Sequence, residues 1–512
     1  MSFVKMIQRA VVVWERSMFT KINIDRNRII SKVEAELFGA LVEHVGRSVY
    51  NGIYEPFHAT SNEQGFRKDV IECVKEMKVS CIRYPGGNFV SAYDWKDGIG
   101  KNRKARLSLA WKELEPNNVG IDEMMKWTSL IDAEIIMATN MGTGTPKDSA
   151  ELIEYCNFEG NSYWANERKN NGSPEPYRIK YWCIGNEMDG GYEIGAMPAI
   201  DYAKKANETA KEMKIVDENA RFIMCGSSSP WSQTCPVWDK TVLENTYKYI
   251  DFISVHAYYD YIDKNNVLDF LASPQGFDNH IKKIISICDS VKENLNADKT
   301  VMLAVDEWNV WHTDVGEKHE HSWVTGEKLI ENDYDFADAL VVGGMISVLV
   351  NNADRVKIAC IAQLVNVIAP IMTRTGGAIL KQTTYYPFEM FTEVKGLTAL
   401  KLESEKQTYL SPTHGESPYL YKTICYDKDR DSYVCIFVNV ADQGYEIELA
   451  FENNVVAVSN SIITADLDAK NTFEQPANVL PKKLSISNET SKMHKITVPK
   501  HSISKIKFKG VE

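Results

Sequence analysis

Two glutamates stand where the sequence could perform paired acid–base chemistry. Glu187 follows the apolar run that ends in Ile184-Gly185-Asn186, and Glu307 lies in a second run, Val305-Asp306-Glu307-Trp308-Asn309. Glycoside hydrolysis needs two carboxyl groups, one as general acid and the other as nucleophile or base. A single glutamate at a strand end could equally be a surface residue. Two of them, each close to an asparagine and among aromatic residues, favour the paired chemistry.

The two glutamates are far apart in the chain, so the fold must bring them together. Short apolar runs alternate with amphipathic helical patterns, and most runs are almost continuously apolar, as in a parallel sheet covered on both faces. Repeated strand–helix units favour a closed (β/α)8 TIM barrel, with an open doubly wound sheet as the alternative. The sequence contains no glycine-rich nucleotide-binding motif. The predicted strands are Leu37–His44, Cys81–Pro85, Glu134–Asn140, Ile179–Glu187, Phe222–Ser227, Phe252–Tyr259, Thr300–Asn309 and Val356–Leu364.

The domain organisation follows from a change of pattern near residue 395. We predict a catalytic barrel over residues 36–395 and a C-terminal antiparallel β-sandwich, jelly-roll-like, over 396–512. Residues 19–35 alternate and are predicted to add a strand to that sandwich, whereas residues 1–18 are an unplaced extension. The predicted sandwich strands are Ser432–Val440, Tyr445–Phe451, Val455–Thr464, Lys483–Ile486 and Lys495–Lys507.

Composition excludes several classes of partner. The net charge of −12 disfavours nucleic acid and anionic membrane as partners. The ten cysteines form no Cys-x-x-Cys pair, which indicates reduced thiols. The sequence has neither a convincing signal peptide nor an apolar stretch of about 20 residues that could cross a membrane. We therefore expect a cytoplasmic protein.

Other predicted strands also end in polar residues. In a barrel these ends share one face, where catalytic groups lie. Asparagine, glutamine, arginine, glutamate and tyrosine can bind sugar hydroxyls, and sugar faces pack on tryptophans, here Trp95, Trp111 or Trp311. A metal is less favoured, because the possible ligands His44, His256 and His312 show no metal-binding spacing. The polar strand-end residues are Glu43, Arg83, Asn88, His256, Tyr258 and Gln363.

Several long stretches resemble the α-L-arabinofuranosidases of glycoside hydrolase family 51. They occur in order and with similar gaps over about residues 20 to 512. The resemblance implies a (β/α)8 barrel with a C-terminal β-sandwich, a retaining two-step mechanism without cofactor, and a homohexamer. It implies the release of terminal non-reducing arabinofuranosyl residues from arabinose-containing oligosaccharides. The matching stretches are Phe38–Tyr50, Arg83–Ser91, Trp182–Gly190, Asp306–Trp311 and Ala353–Pro370.

The resemblance also implies roles for individual residues. Glu187 matches the acid/base of the family, and Glu307 matches its nucleophile. Tyr84 and Ala257 depart from the common family residues, and the stretch Ser229–Pro236 is unfamiliar, so linkage preference stays open. The positions that match sugar-contacting or neighbouring aromatic residues are Glu43, Arg83, Asn88, Asn186, Tyr258, Gln363, Trp111 and Trp311.

Two rival functions remain at this point. One is another retaining glycosidase of the same clan, such as a xylosidase or an endo-glucanase, which an open cleft would indicate. The other is a non-catalytic carbohydrate-binding barrel, which the loss of either glutamate would have indicated.

Overall fold

The fold is a closed parallel barrel joined to a β-rich C-terminal domain. It is seen in a computed structural model that describes residues 18–313 and 323–511. Each barrel strand pairs with its neighbour in sequence, and the last pairs with the first. The predicted (β/α)8 barrel is therefore confirmed. Its strands are β1 Gly39–Leu41, β2 Cys81–Tyr84, β3 Glu134–Ala138, β4 Tyr181–Ile184, β5 Arg221–Met224, β6 Ile250–Tyr259, β7 Met302–Val310 and β8 Val356–Ile361.

Several barrel strands are shorter than their apolar runs. The first run extends to His44 in the sequence, but β1 ends at Leu41. Its last residues leave the sheet because Glu43 and His44 reach buried partners above the barrel, such as Gln363 and Glu115. The polar strand ends thus become the floor of a site.

The helices surround the barrel and connect its strands. Helix α9 is buried along its whole length because it lies between the barrel and the C-terminal sheet. No helix among the described residues combines the length and the hydropathy that a membrane crossing requires. The helices are α1 Lys68–Met77, α2 Ile121–Leu130, α3 Pro146–Asn157, α4 Tyr163–Asn170, α5 Ala199–Val216, α6 Val237–Thr246, α7 Val267–Leu271, α8 Ser273–Asn294, α9 Phe336–Asn351 and α10 Tyr385–Phe391.

The C-terminal domain is built around one long strand, Tyr445–Thr464. Its first half pairs in parallel with the N-terminal strand Met18–Ile24 and antiparallel with Ser491–Val498. Its second half pairs with Ser502–Gly510. The two halves enclose a separate apolar core. The other strands among the described residues are Ile29–Lys32, Arg106–Ser108, Glu113–Glu115, Ile371–Thr373, Ile379–Lys381, Thr398–Leu400, Glu403–Ser404, Thr408–Ser411, Gly415–Pro418, Leu420–Asp427 and Ser432–Asn439.

Four predicted strands of this domain were wrong in detail. Tyr445–Phe451 and Val455–Thr464 form one continuous strand. The single strand predicted at Lys495–Lys507 is two, because Pro499 lacks the N–H that would continue the ladder. Lys483–Ile486 forms no strand, since the Leu484 amide donates to the Asn460 side chain. Of the extension predicted at residues 1–18, only Met18 lies within the described residues, and it begins a strand.

Candidate active site

The barrel brings the two glutamates together. Glu187 follows β4 after a tight turn in which Gly185 has φ +93° and Glu187 itself φ +42°. A left-handed conformation at a glutamate is a strained arrangement of the kind that clusters at active sites. Glu307 lies on β7, and both side chains are buried. A carboxylate oxygen of each, together with a ring nitrogen of His256, all lie within 4.8 Å of one another.

Glu307 is held by two strong donors. Arg83 Nη1 donates to Oε1 at 2.7 Å, and the Tyr258 hydroxyl donates to Oε2 at 2.7 Å. Arg83 also donates to Asn186 Oδ1 at 2.9 Å, and its Nε lies 2.9 Å from Asp306 Oδ2. Both carboxylate oxygens of Glu307 therefore act as acceptors, as in an ionised carboxylate.

Glu187 has a different environment. Its Oε1 lies 2.8 Å from His256 Nδ1, and its Oε2 accepts a 2.7 Å hydrogen bond from the Tyr192 hydroxyl. Burial raises the pKa of Glu187, and the charge of Glu307 raises it further, against the lowering effect of the two hydrogen bonds. Two adjacent carboxyl groups with unlike environments are the arrangement that divides acid and nucleophile roles.

Two further ionisable side chains, His256 and Asp306, lie next to the two glutamates. Burial lowers the pKa of His256, but the surrounding carboxylates of Glu307, Asp306 and Glu187 raise it well above its usual value. Burial would raise the pKa of Asp306, yet Arg83 and His256 hold it below the usual range. Asp306 also accepts a hydrogen bond from Ser254. The buried charges of the site thus alternate in sign.

Glu43 lies at the floor beside this cluster. Its Oε1 accepts hydrogen bonds from the Phe89 amide at 2.9 Å and from Trp111 Nε1 at 2.7 Å, and its Oε2 accepts one from Gln363 at 3.0 Å. Burial raises the pKa of Glu43 to about 7. Glu43 follows β1 and Arg83 lies on the adjacent β2, but they make no ion pair, because Arg83 pairs with Asp306 and Glu307.

The remaining predicted positions surround the same pair, with one exception. Asn186 Nδ2 donates to Asn88 Oδ1 at 3.3 Å, and the Trp311 ring packs edge-on against Tyr258 at 5.4 Å between centroids. Trp95 instead packs against Tyr155 and Trp164. It therefore belongs to a different aromatic cluster.

The three histidines considered as metal ligands do not converge. His44 bonds Glu115 and Tyr84, and His312 bonds two aspartates at the end of the barrel. Glu187, His256 and Glu307 do offer three atoms at metal-binding separation. The three side chains are engaged with one another and with the side chains of Tyr192, Tyr258 and Arg83.

Two residues of the site escaped the sequence analysis. Asp306 directly precedes Glu307 and is predicted only as part of the same strand. A second acidic residue in that apolar run could have marked it as a candidate. Tyr192 lies in a glycine-containing turn five residues after Glu187 and carries no periodic or motif signal.

A barrel with one carboxyl group just after its fourth strand and another on its seventh strand is typical of a glycoside hydrolase. The sequence matches the family models "Alpha-L-arabinofuranosidase 1 domain" over residues 73–273 and "Alpha-L-arabinofuranosidase C-terminal domain" over 306–502. It is 42% identical to an intracellular exo-α-(1→5)-L-arabinofuranosidase of Bacillus subtilis, over 90% of this chain and 92% of that one. It is 39% identical to an exo-α-(1→6)-L-arabinofuranosidase of Bifidobacterium longum, over 94% and 95% of the two chains.

The fold gives the same relationship. A solved family 51 α-L-arabinofuranosidase from Bifidobacterium longum superposes with a TM-score of 0.92 at 36% identity, covering 96% of this chain and 99% of that one. The chain therefore belongs to the α-L-arabinofuranosidases of glycoside hydrolase family 51.

Proposed function

We propose that this chain releases terminal arabinofuranosyl residues by double displacement, with Glu307 as the nucleophile and Glu187 as the acid/base. The observation that carries the proposal is the pair itself. Oxygens of the two buried carboxyl groups lie within 4.8 Å of each other, and each group has its own set of partners. A retaining mechanism needs two carboxyl groups separated by only about 5–5.5 Å.

In the first step, Glu307 attacks the anomeric carbon and the bond to the leaving oxygen breaks. Glu187, whose pKa is raised by burial and by the Glu307 charge, donates its proton to that oxygen. Arg83 and Tyr258 hold Glu307 in a fixed direction, so little reorganisation is required at the moment of attack.

In the second step, water cleaves the glycosyl-enzyme. Glu307 is then a neutral ester, so its repulsion no longer raises the pKa of Glu187. Glu187 can therefore accept a proton from the attacking water, while Glu307 is restored as a carboxylate. The imidazole of His256 lies against Glu187 Oε1.

The surrounding polar residues are proposed to bind the sugar. Asn186 lies beside the acid/base and is held by Arg83, so it can bind the hydroxyl next to the anomeric carbon. Such a bond strengthens as the oxocarbenium-like transition state forms. The other proposed sugar-binding groups are Glu43, Arg83, Asn88, Tyr258, Gln363, Trp111 and Trp311.

The relatives are named for (1→5) and (1→6) linkages, and α-(1→5)-linked arabino-oligosaccharides are the first substrates to test. The stretch Ser229–Pro236 is attached to Asp189, two residues after Glu187, through Ser232 and Thr234. Its position next to the acid/base gives it access to the leaving group. An intracellular location and a hexamer stay predictions, the latter testable by light scattering.

The test is hydrolysis of an aryl α-L-arabinofuranoside, with the anomeric configuration of the first product followed by proton NMR. We expect release of arabinose with retained configuration. Aryl β-D-xylopyranoside and cello-oligosaccharides serve as controls, because preferential cleavage of either would favour the rival glycosidases. Inverted product would contradict the double displacement.

A further inference from the structure

Tyr192 makes an unusual contact for an exposed residue. The residue as a whole is 62% exposed, yet its hydroxyl donates to Glu187 Oε2 at 2.7 Å. Two successive turns, from Glu187 to Gly190 and from Gly190 to Glu193, bring the ring back over the glutamate. The buried Glu193 then anchors this turn by accepting a hydrogen bond from Ser91. These bonds fix the position of the tyrosine, although the residue is largely exposed.

The contact involves the oxygen that matters for proton transfer. Glu187 Oε1 faces His256 Nδ1, and the carboxylates around His256 favour its protonated form, in which that nitrogen is a donor. The proton that Glu187 gives to a leaving group must therefore reside on Oε2. Tyr192 is bonded to that same oxygen, so its hydroxyl can donate to Oε2 whenever the proton has left.

We propose that Tyr192 is a positioning residue that holds the Glu187 carboxyl through Oε2 and stabilises its ionised form. The inference rests on the proposed role of Glu187 as acid/base. It adds a residue that sets when Glu187 is protonated. Donation to the charged form of an acid lowers its pKa, so loss of the hydroxyl must raise it.

Other titratable groups face Glu187 and must be separated from this effect. Glu193 lies on the same turn as Tyr192, and burial raises its pKa to about 8, with a further rise from the charge of Glu187. The groups on the surrounding strands and turns are Arg83 on β2, His256 and Tyr258 on β6, Asp306 and Glu307 on β7, and Tyr192 and Glu193 after β4. Glu193→Gln removes the charge of Glu193 and leaves the other groups in place.

The experiment compares pH profiles of kcat/KM on an aryl α-L-arabinofuranoside. The free acid Glu187 sets the alkaline limb, which falls as the acid loses its proton. We expect Tyr192→Phe to move that limb upward by about 0.5 to 1 pH unit, since one hydrogen bond to a charged group is lost. The same shift is expected in a Glu193→Gln background. An unchanged alkaline limb in Tyr192→Phe overturns the proposal.

A pair of glycines offers a second test that leaves the hydroxyl in the chain. A Cβ added at Gly190 would lie 2.7 Å from Tyr192 Cζ, so Gly190→Ala must push the ring away from Glu187. A Cβ at Gly191 would meet nothing within 4 Å, which makes Gly191→Ala the matched control. We expect Gly190→Ala to reproduce the shift and Gly191→Ala to keep the wild-type profile. Equal shifts in both alanine variants would show a general effect of the turn and overturn the proposal. Absence of wild-type activity on arabinofuranosides would instead contradict the proposed function.

Discussion

Arg67 and Arg83 are two buried arginines with similar local surroundings and different consequences. Both are fully buried, and each pairs with two carboxylates. Arg67 pairs with Glu55 and Asp69, and it also donates to the backbone carbonyls of Arg374 and Gly377. The two carboxylates neutralise its charge, and all four partners together connect separate segments of the chain.

Arg83 lies in a cluster that contains more carboxyl groups than its one guanidinium pairs with. Beyond its partners Asp306 and Glu307 lies Glu187, reached through His256. Burial raises the pKa of Glu187, and the charge of Glu307 beside it raises that pKa further. Both arginines are therefore buried and ion-paired. Only the candidate active site has an additional carboxyl group, that of Glu187, near the cluster around Arg83.

The largest effect is expected from Glu307→Ala. No covalent intermediate can form without the nucleophile, so turnover should fall on the order of 10⁴-fold or more on every substrate, activated or not. Added azide should attack from the emptied side and give the inverted glycosyl azide. Near-normal turnover by the variant alone would remove Glu307 from this role.

Replacing each arginine by methionine breaks the comparison most directly. Arg83→Met leaves Asp306 and Glu307 without their cation, and kcat should fall about 100-fold or more. Arg67→Met should lower the free energy of unfolding by about 3–5 kcal/mol, because it leaves buried carboxylates unpaired, with specific activity of the folded protein retained. Chemical denaturation and kinetics on the same samples separate the two. The comparison fails if Arg67→Met loses activity at unchanged stability.

A smaller loss is expected for Glu43→Gln. The carboxylate accepts three hydrogen bonds, and an amide nitrogen would face at least one of those donors. Turnover should fall about 10- to 100-fold, which corresponds to one lost hydrogen bond to a charged group. Steady-state kinetics measures this loss, with Arg67→Lys as the control outside the site. A variant that melts earlier at full specific activity would give Glu43 a structural role alone.

The sequence predicted the barrel and its two glutamates for identifiable physical reasons. Strands covered on both faces must be apolar throughout, and the residues that leave such strands must end on one face. Glu187 and Glu307 therefore converge in any closed barrel with these runs. The hydrogen bond from Tyr192 to Glu187 depends on two turns that no sequence pattern predicts. The ion pairs of Arg83 depend on which carboxyl groups lie nearest to it in the folded barrel. Alternation also continued across Pro499, which is why two strands were predicted as one.

The smallest expected effect is on pH dependence. Because the pKa of Glu187 is raised, the acid stays protonated to higher pH than an ordinary glutamate, and kcat/KM should fall only as pH rises through that value. Arg67→Lys should leave this alkaline limb in place, whereas Arg83→Lys should move it, since Arg83 contacts Glu307. A profile that both variants shift equally would erase the distinction between the two arginines.

The most direct test of the central claim is the product that Glu187→Ala forms with azide. On a natural sugar leaving group, turnover should fall about 10²–10⁴-fold, because the oxygen departs without a proton. On a dinitrophenyl arabinofuranoside, glycosylation should be nearly unaffected, the glycosyl-enzyme should accumulate, and KM should fall. Azide should then restore turnover and yield a glycosyl azide of retained configuration, since it attacks the covalent intermediate without a base. An inverted azide, or equal slowing on both leaving groups, would contradict the assignment of Glu187 as the acid/base.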